Sequence, residues 1–356
     1  MSHYDLYAIG NALVDSEYEV SDALLQAMGI SKRHMTLIDT PRRAELLGHV
    51  SHVQPRQTGG GSAGNTVVAL SQLGGKAFYS CKVAHDSLGD FYVKDLQAQG
   101  VDTNLTHTRA IEGQTGSCMV LVTPDAERSM CTFLGVSAEL DPAALHPHDI
   151  AKSKIYYMEG YLAASPTGLD AALKGRKIAH DAGVALALTL SDVSMIQYCK
   201  AGLDAMLGDG VDYLFCNQEE AQVWCGTEDL DVVRQTLKKM AKTVCFTRGP
   251  EGSEVLTEKQ AWHVPAEKVK AIDTNGAGDM FAGAFLYAIT RGYAPDQAAS
   301  LGNHAAAAVV SQHGNRLSLG QLSAIKAESF KLREQKRALK AELAAKETAL
   351  KELEAK

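Results

Sequence analysis

The first short apolar run, Leu6-Tyr7-Ala8-Ile9, stops at Gly10-Asn11, and its length and ending read as a strand. A glycine-rich stretch, Thr58-Gly59-Gly60-Gly61-Ser62-Ala63-Gly64-Asn65, leads into an apolar segment over 66–74 that reads as a helix halted by Gly74-Gly75. A strand over 77–83 and a helix over 89–99 follow. After an interruption the rhythm returns. Strands are predicted at 154–158, 185–189, 213–216, 243–247 and 253–256, with helices between most of them, among them 167–182 and 231–241. Near the end, Asp273-Thr274-Asn275-Gly276-Ala277-Gly278-Asp279 opens an apolar helix that runs to Ile289, and an alanine-rich helix covers 296–312. Strand and helix in alternation predict a parallel α/β sheet.

Two stretches break the rhythm. Residues 16–53 mix short apolar runs with polar turns and are expected to be an insertion built partly of strands. Residues 117–122 and 129–134 are β-rich runs joined by Thr123-Pro124-Asp125-Ala126-Glu127-Arg128, a hairpin signal. Together, over about 12–55 and 114–138, they are expected to form a small sheet over the site, a lid. The tail differs again. From Leu322 to Lys356 there is no Gly or Pro. Leu322, Ile325, Leu332, Leu339, Leu343, Leu350 and Leu353 share one heptad frame, which Ser329, Lys336 and Lys346 break. The expectation is one domain over 1–320 and a long charged helix over 321–356. That helix reads as a coiled-coil element that would make a homo-oligomer, or as a solvated helix or appended spacer without chemistry.

Composition narrows the classes. The 356 residues, 46% hydrophobic and 22% charged, are ordinary for a soluble enzyme. A net charge of -7 argues against general nucleic-acid binding. No apolar run is long enough to span a bilayer, and the N-terminus lacks a basic region followed by an apolar run. The seven cysteines are scattered, odd in number and without a C-x-x-C pair, which suits unpaired thiols in a reducing cytoplasm. The twelve histidines show no ligand spacing. No P-loop, zincin, nucleophile-elbow or protein-kinase motif occurs.

The candidate chemistry centres on residues 273–279. A glycine turn ahead of a helix leaves backbone N–H groups without partners, aimed along the helix dipole. Such groups suit an anion, most often phosphate. Asp279 places a carboxylate in the same turn. It is either a helix N-cap, or the base that takes a proton from a hydroxyl attacking a phosphoryl group. Asn217 and Glu220 follow the strand at 213–216 and share one face of a helix start. They read as an N-cap with its capping box, or as a pair that holds a hydrated Mg²⁺ or phosphate-bound water. Thr247, Gly249 and Gly252 follow the next strand and suit a nucleotide, or simply a tight turn. Arg128 is an exposed turn arginine, or a lid arginine that neutralises a transferring phosphoryl group.

Gly60-Gly61-Ser62 with Asn65, then Asn217-x-x-Glu220, then residues 273–279 occur in one order along the chain. In that order they resemble the ribokinase-like (PfkB-type) carbohydrate kinase family, over residues 4 to about 319. The resemblance implies a three-layer α/β/α sandwich with a mostly parallel central sheet and a small β-sheet lid. It implies transfer of the ATP γ-phosphate to a hydroxyl of a sugar or nucleoside. By that likeness Asp279 is the general base, and the amides of Asn275, Gly276, Ala277 and Gly278 form the anion hole. Asn217 and Glu220 place Mg²⁺, through water. Thr247, Gly249, Gly252 and Asn303 look like ATP contacts. Asn11, Asp15, Gly60, Gly61 and Asn65 look like the grip on ribose hydroxyls. Asp273 and Thr274 border a monovalent cation site, K⁺, in several relatives.

The adenosine kinase subgroup is the nearest likeness. Gly10-Asn11-Ala12-Leu13-Val14-Asp15 matches its G-N-x-L-x-D opening, and Gly116-Ser117-Cys118 and Glu127-Arg128-Ser129 look similar to its lid strands. Tyr161 falls where an aromatic stacks on the purine, or is a half-buried loop aromatic. Phe133-Leu134-Gly135-Val136 departs from that subgroup. The reading is therefore a kinase for the 5′-hydroxyl of a purine nucleoside, with a sugar such as ribose or fructose as the alternative. A non-catalytic nucleotide-binding module would lack use for an intact Asp279. A scaffold driven by the tail would lose its assembly, and nothing else, on truncation after about residue 319.

Overall fold

The computed structural model describes residues 3–32, 35–110, 112–125 and 127–329, with residues 331, 334, 335, 342 and 346 beyond them. Its strands, in chain order, are β1 (Tyr4–Ile9), β2 (Leu13–Glu19), β3 (Met35–Leu37), β4 (Arg56–Gly60), β5 (Ala77–Ser80), β6 (Asp102–Thr103), β7 (Ser117–Val122), β8 (Arg128–Phe133), β9 (Ser153–Glu159), β10 (Ala185–Thr189), β11 (Val211–Asn217), β12 (Ala241–Thr247), β13 (Ser253–Thr257) and β14 (Ala261–Val264). They form two sheets. The larger runs β14-β13-β12-β11-β10-β9-β1-β5-β6 and is parallel from β12 to β6. At one edge β13 pairs antiparallel with β12, and β14 antiparallel with β13. The smaller runs β3-β8-β7-β2-β4.

Every residue of β1 is buried, as a strand covered on both faces must be. Successive side chains leave it on opposite sides. Leu6 and Ala8 join one core with the helices Ser62–Gln72, Ala277–Thr290 and Pro295–Val310. Tyr7 and Ile9 join the other, with Pro166–Asp181, Lys200–Leu207 and Leu230–Leu237. The result is the three-layer sandwich expected, with helices on both faces of one sheet.

The smaller sheet has its own core. Tyr18, Met119, Leu121 and Cys131 on one face pack against Leu25 and Met28 of one helix and Leu46 of another. Those helices, Asp22–Ala27 and Thr40–His49, lie inside the stretch expected to be an insertion built partly of strands, in which no helix was named. Each is announced by a side-chain cap, Ser21 and Asp39, and the second also by Pro41 in its first turn.

Smaller differences are local. The strand expected to reach residue 83 ends at Ser80, and the helix expected to reach 241 ends at Leu237, because Ala241 already begins β12. Residues 319–329 are helical. Leu322 there is fully buried in the main core, and Lys326 Nζ donates to the Leu73 carbonyl at 2.7 Å. The heptad positions Leu332, Leu339, Leu343, Leu350 and Leu353 lie outside the described residues.

Candidate active site

The parallel strands deliver their carboxyl ends to one edge of the sheet, where α/β proteins bind ligands. Gly10-Asn11 follows β1, Glu159 ends β9, Asn217 ends β11 and Thr247 ends β12. Over that edge stand two helix N-termini, those of Ser62–Gln72 and Ala277–Thr290.

The second of these carries residues 275–279. Gly276 is its N-cap with φ +76°, and a Cβ there would stand 2.6 Å from the Asn315 carbonyl oxygen. Only glycine meets both conditions. The helix has no side-chain cap. Of the amides read as an anion hole, Asn275 N–H already donates to Asp273 Oδ1 at 3.1 Å and Ala277 N–H to the Thr274 carbonyl at 3.3 Å, which leaves those of Gly276 and Gly278 to face an outside anion. A Cβ on Gly278 would meet nothing within 4 Å, so the space before this turn is open.

Asp279 sits on that first turn. Ser62 Oγ donates to its Oδ1 at 2.6 Å and Asn65 Nδ2 donates to its Oδ2 at 2.9 Å. The two helices can meet because Gly283 has no side chain: a Cβ there would lie 2.5 Å from the Thr66 carbonyl oxygen. Burial raises the pKa of Asp279, while Ser62, Asn65 and the charge of Arg316 pull it down. A partly desolvated carboxylate held by two donors is a stronger proton acceptor than one in water.

Asp15 on β2 lies against Gly60, whose Cβ would touch the carboxylate at 2.6 Å. Asn315 Nδ2 donates to Asp15 Oδ2 at 2.6 Å. Burial pushes the Asp15 pKa up to about 7, against the pull of Arg316 and Asn315. Asn11 and Gly61 meet at the same place, since a Cβ on Gly61 would strike the Asn11 carbonyl. The residues read as a substrate grip thus converge around Asp279.

Glu159 ties them together. Its Oε1 accepts from Asn11 N–H at 3.2 Å and its Oε2 from Ala63 N–H at 2.8 Å. Burial pushes its pKa up to about 8 against those two bonds. The sequence reading passed over Glu159, Asn315 and Arg316, and it quoted Ser62 within a motif without giving it a role. Glu159 was visible as a lone carboxylate at a strand end. Asn315 and Arg316 have no local signal, because their partners lie far along the chain.

On the nucleotide side, Asn217 and Glu220 form the complete capping box. Glu220 N–H donates to Asn217 Oδ1 at 2.9 Å, and Asn217 N–H to Glu220 Oε2 at 3.2 Å. Asn217 Nδ2 also donates to Glu220 Oε1 at 2.6 Å. Burial pushes the Glu220 pKa up to about 7. Each carboxylate oxygen keeps a lone pair, and a divalent cation would hold the group ionised. Among the described residues no three His, Cys, Asp or Glu side chains form a metal cage. The pair suits a Mg²⁺ that keeps its waters and takes phosphate oxygens for the rest.

Thr247 Oγ1 donates to the Cys216 carbonyl at 3.4 Å, joining the ends of β12 and β11. Gly249 and Gly252 form the turn after it. Asn303 Nδ2 donates to the carbonyls of Val264 (2.8 Å) and Pro265 (3.2 Å), so its amide holds the strap that follows β14. Tyr161 follows β9, and its hydroxyl donates to the Ser191 carbonyl at 3.4 Å.

Arg128 reaches across from β8. Its guanidinium is ion-paired with Asp273 and with Glu17 of β2. Asp273 also accepts the N–H of Asn275 (3.1 Å, Oδ1) and of Gly314 (3.1 Å, Oδ2). The carboxylate that was expected to border a monovalent cation thus has a guanidinium as its counter-charge. Thr274 is exposed beside it and accepts from Ala277 N–H at 3.3 Å through its carbonyl.

Three comparisons bear on what such a site belongs to. The adenosine kinase of Sinorhizobium meliloti superimposes with a TM-score of 0.82 at 37% identity, covering 92% of this chain and 99% of that one. A probable sugar kinase of Rhizobium etli CFN 42 superimposes with a TM-score of 0.81 at 35% identity over the same shares. The ribokinase of Staphylococcus aureus (strain COL) is 25% identical over 299 residues, 80% of this chain and 93% of its own. A family model for pfkB carbohydrate kinases matches residues 27–321. The chain therefore belongs to the pfkB family of carbohydrate kinases, and it is a phosphotransferase that acts on a hydroxyl group.

Proposed function

We propose that the protein transfers the γ-phosphate of ATP to the 5′-hydroxyl of a purine nucleoside. The observation that carries the reading is Asp279, a carboxylate held by Ser62 and Asn65 on the first turn of an uncapped helix. A base beside an anion cradle is what in-line phosphoryl transfer needs. In this reading Asp279 Oδ takes the proton of the acceptor hydroxyl as its oxygen attacks. The N–H groups of Gly276 and Gly278 receive the charge that develops on the phosphoryl oxygens, while those of Asn275 and Ala277 hold the turn through Asp273 and Thr274. Asp15, Asn11, Gly60, Gly61 and Asn65 hold the ribose, while Thr247, Gly249, Gly252 and Asn303 border the nucleotide. A hydrated Mg²⁺ near Asn217 and Glu220 would supply counter-charge to the phosphates.

A nucleoside is preferred to a free sugar because of what lies beyond Asp15. The paired row Asp15–Cys118–Thr132–Leu37 crosses the small sheet on one face. It leads to a cleft of about 510 Å³ lined in part by Leu37, Ile38, Thr132, Phe133, Leu134 and Val136. Neighbouring strands lie about 4.8 Å apart, so Cys118 and Thr132, one and two strands from Asp15, lie within reach of a base on a ribose held there. Tyr161, which senses the charge of Asp279, is an aromatic that could stack on the base. The likeness to a ribokinase keeps the sugar reading in view.

The test is a panel of nucleosides and free sugars with MgATP, read by ADP release. The expected result is a kcat/KM for adenosine at least about tenfold above that for ribose, the worth of one well-buried contact pair. Turnover of free sugars alone would discard the nucleoside reading.

A further inference from the structure

Arg316 follows the helix Pro295–Val310 in the turn that also carries Asn315. Its side chain is 10% exposed. Nε donates to Asn65 Oδ1 at 2.8 Å, and Nη1 donates to Asp95 Oδ2 at 2.6 Å. Nη2 is buried and has no hydrogen-bond partner among the described residues. Asp95 comes from the helix Ser87–Ala98.

The bond to Oδ1 decides which way the Asn65 amide faces. With its oxygen on Arg316, its nitrogen must face Asp279, where Nδ2 lies 2.9 Å from Oδ2. Turned over, the amide would present an oxygen to a carboxylate. A guanidinium, which only donates, excludes that arrangement. Asp95–Arg316–Asn65–Asp279 is thus one chain of bonds with a single consistent polarity.

The ionisable groups around Asp279 are mostly acids, whose negative forms would repel its own. Asp15 faces it from β2, Tyr157 and Glu159 from β9, Tyr161 from the turn beyond, and Glu220 from the helix Gln218–Cys225. Arg316 faces both Asp279 and Asp15 with positive charge, and Arg128 also faces Asp15. Asp95 and Tyr92 lie on the far side of the Arg316 guanidinium.

We infer that Arg316 is a positioning residue for phosphoryl transfer: through Asn65 it holds the Asp279 carboxylate in place, and its charge opposes the carboxylates that crowd the acceptor site. The inference rests on the reading of Asp279 as the base. An arginine that merely clamps the turn to the helix Ser87–Ala98 would affect stability alone.

The pH profile of kcat separates the two roles. In Arg316→Met, kcat at pH 7 falls roughly 10- to 100-fold, and its acid limb moves up by about one pH unit, because the base has lost its positive neighbour. Arg316→Lys returns the limb toward its original position but only part of kcat, since an ammonium cannot bridge Asn65 and Asp95 as the fork does. If Arg316→Met alone fails to fold, Asp95→Asn/Arg316→Met removes both charges together and is measured instead. Asp279→Asn is the control for the reading beneath. A low rate in Asp279→Asn with an unchanged kcat and acid limb in the Arg316 variants overturns the inference only. A near-normal rate in Asp279→Asn overturns both.

Discussion

Two glycine-rich turns open two helices over the same sheet edge, and they put the same backbone groups to opposite uses. At the start of Ser62–Gln72 the protein supplies its own carboxyl group, for Glu159 accepts the Ala63 N–H. At the start of Ala277–Thr290 there is no side-chain cap, and a Cβ on Gly278 would meet nothing within 4 Å. One helix end is filled from within and serves as a fixed wall. In the proposed reading the other is left for an anion that arrives and departs. Glycine turns at helix starts therefore cannot be read as binding sites from their spelling. What matters is whether the fold brings an acidic side chain to them.

The largest expected effect comes from making the second turn like the first. Gly278 lies in the first helical turn with room beside it, so Gly278→Asp should fold. A carboxylate at that position stabilises a helix start by about 0.3–1 kcal/mol. It would also occupy the anion cradle, and kcat is expected to fall about 10³-fold, as for loss of oxyanion donors. ADP release and a thermal melt on the same preparation check both halves. Near-normal turnover would show that the phosphoryl group does not bind there.

The intermediate effect comes from the first turn. Burial holds the Glu159 pKa at about 8, above the 4.5 of an ordinary glutamate. Between those values the folded chain keeps a proton that the unfolded chain has released. Stability from this group is therefore present below about pH 4.5 and is lost as pH rises through 8, at up to about 1.4 kcal/mol per pH unit. Glu159→Gln should flatten that slope in melts taken from pH 5 to pH 8. An unaltered slope would mean that Glu159 is not the group responsible.

The smallest effect belongs to the neighbour of the second turn. Arg128 already provides the counter-charge of Asp273. Exchanging potassium for sodium in the assay should change the rate by less than about two-fold, because the carboxylate is already paired. A rate that collapses without potassium would mean that a cation does displace the guanidinium.

The large sheet was legible because its strands are buried on both faces and read as plain apolar runs, as Tyr4–Ile9 does. The short edge strand Asp102–Thr103 and the outer strand Ala261–Val264 carry no such run and were passed over. The small sheet was legible as strands, but its two helices were not, since each buries only a few side chains. In the site, Asp279, Asp15 and Asn65 could be named from motifs. Arg316 and Asn315 could not, because their role exists only where the end of the domain folds back onto its beginning. Arg128 was singled out as a lid arginine for a transferring phosphoryl group, or as an exposed turn arginine; its side chain is in fact largely buried and ion-paired with Glu17 and Asp273. Its pairing with Asp273 depends on how that sheet sits, which no local pattern encodes.

The bonds that complete the site join residues made at very different times. Asn65 and Asp279 are 214 positions apart, Arg316 and Asn65 are 251 apart, and Asp15 and Asn315 are 300 apart. Chains fold from the N-terminus as they are synthesised. Asp15 and Asn65 thus leave the ribosome well before Asp279, Asn315 and Arg316. In the proposed reading a nascent chain shapes the acceptor side of the pocket first and gains its base only 214 positions after Asn65. Turnover then has to wait until the later residues have folded back onto the earlier ones.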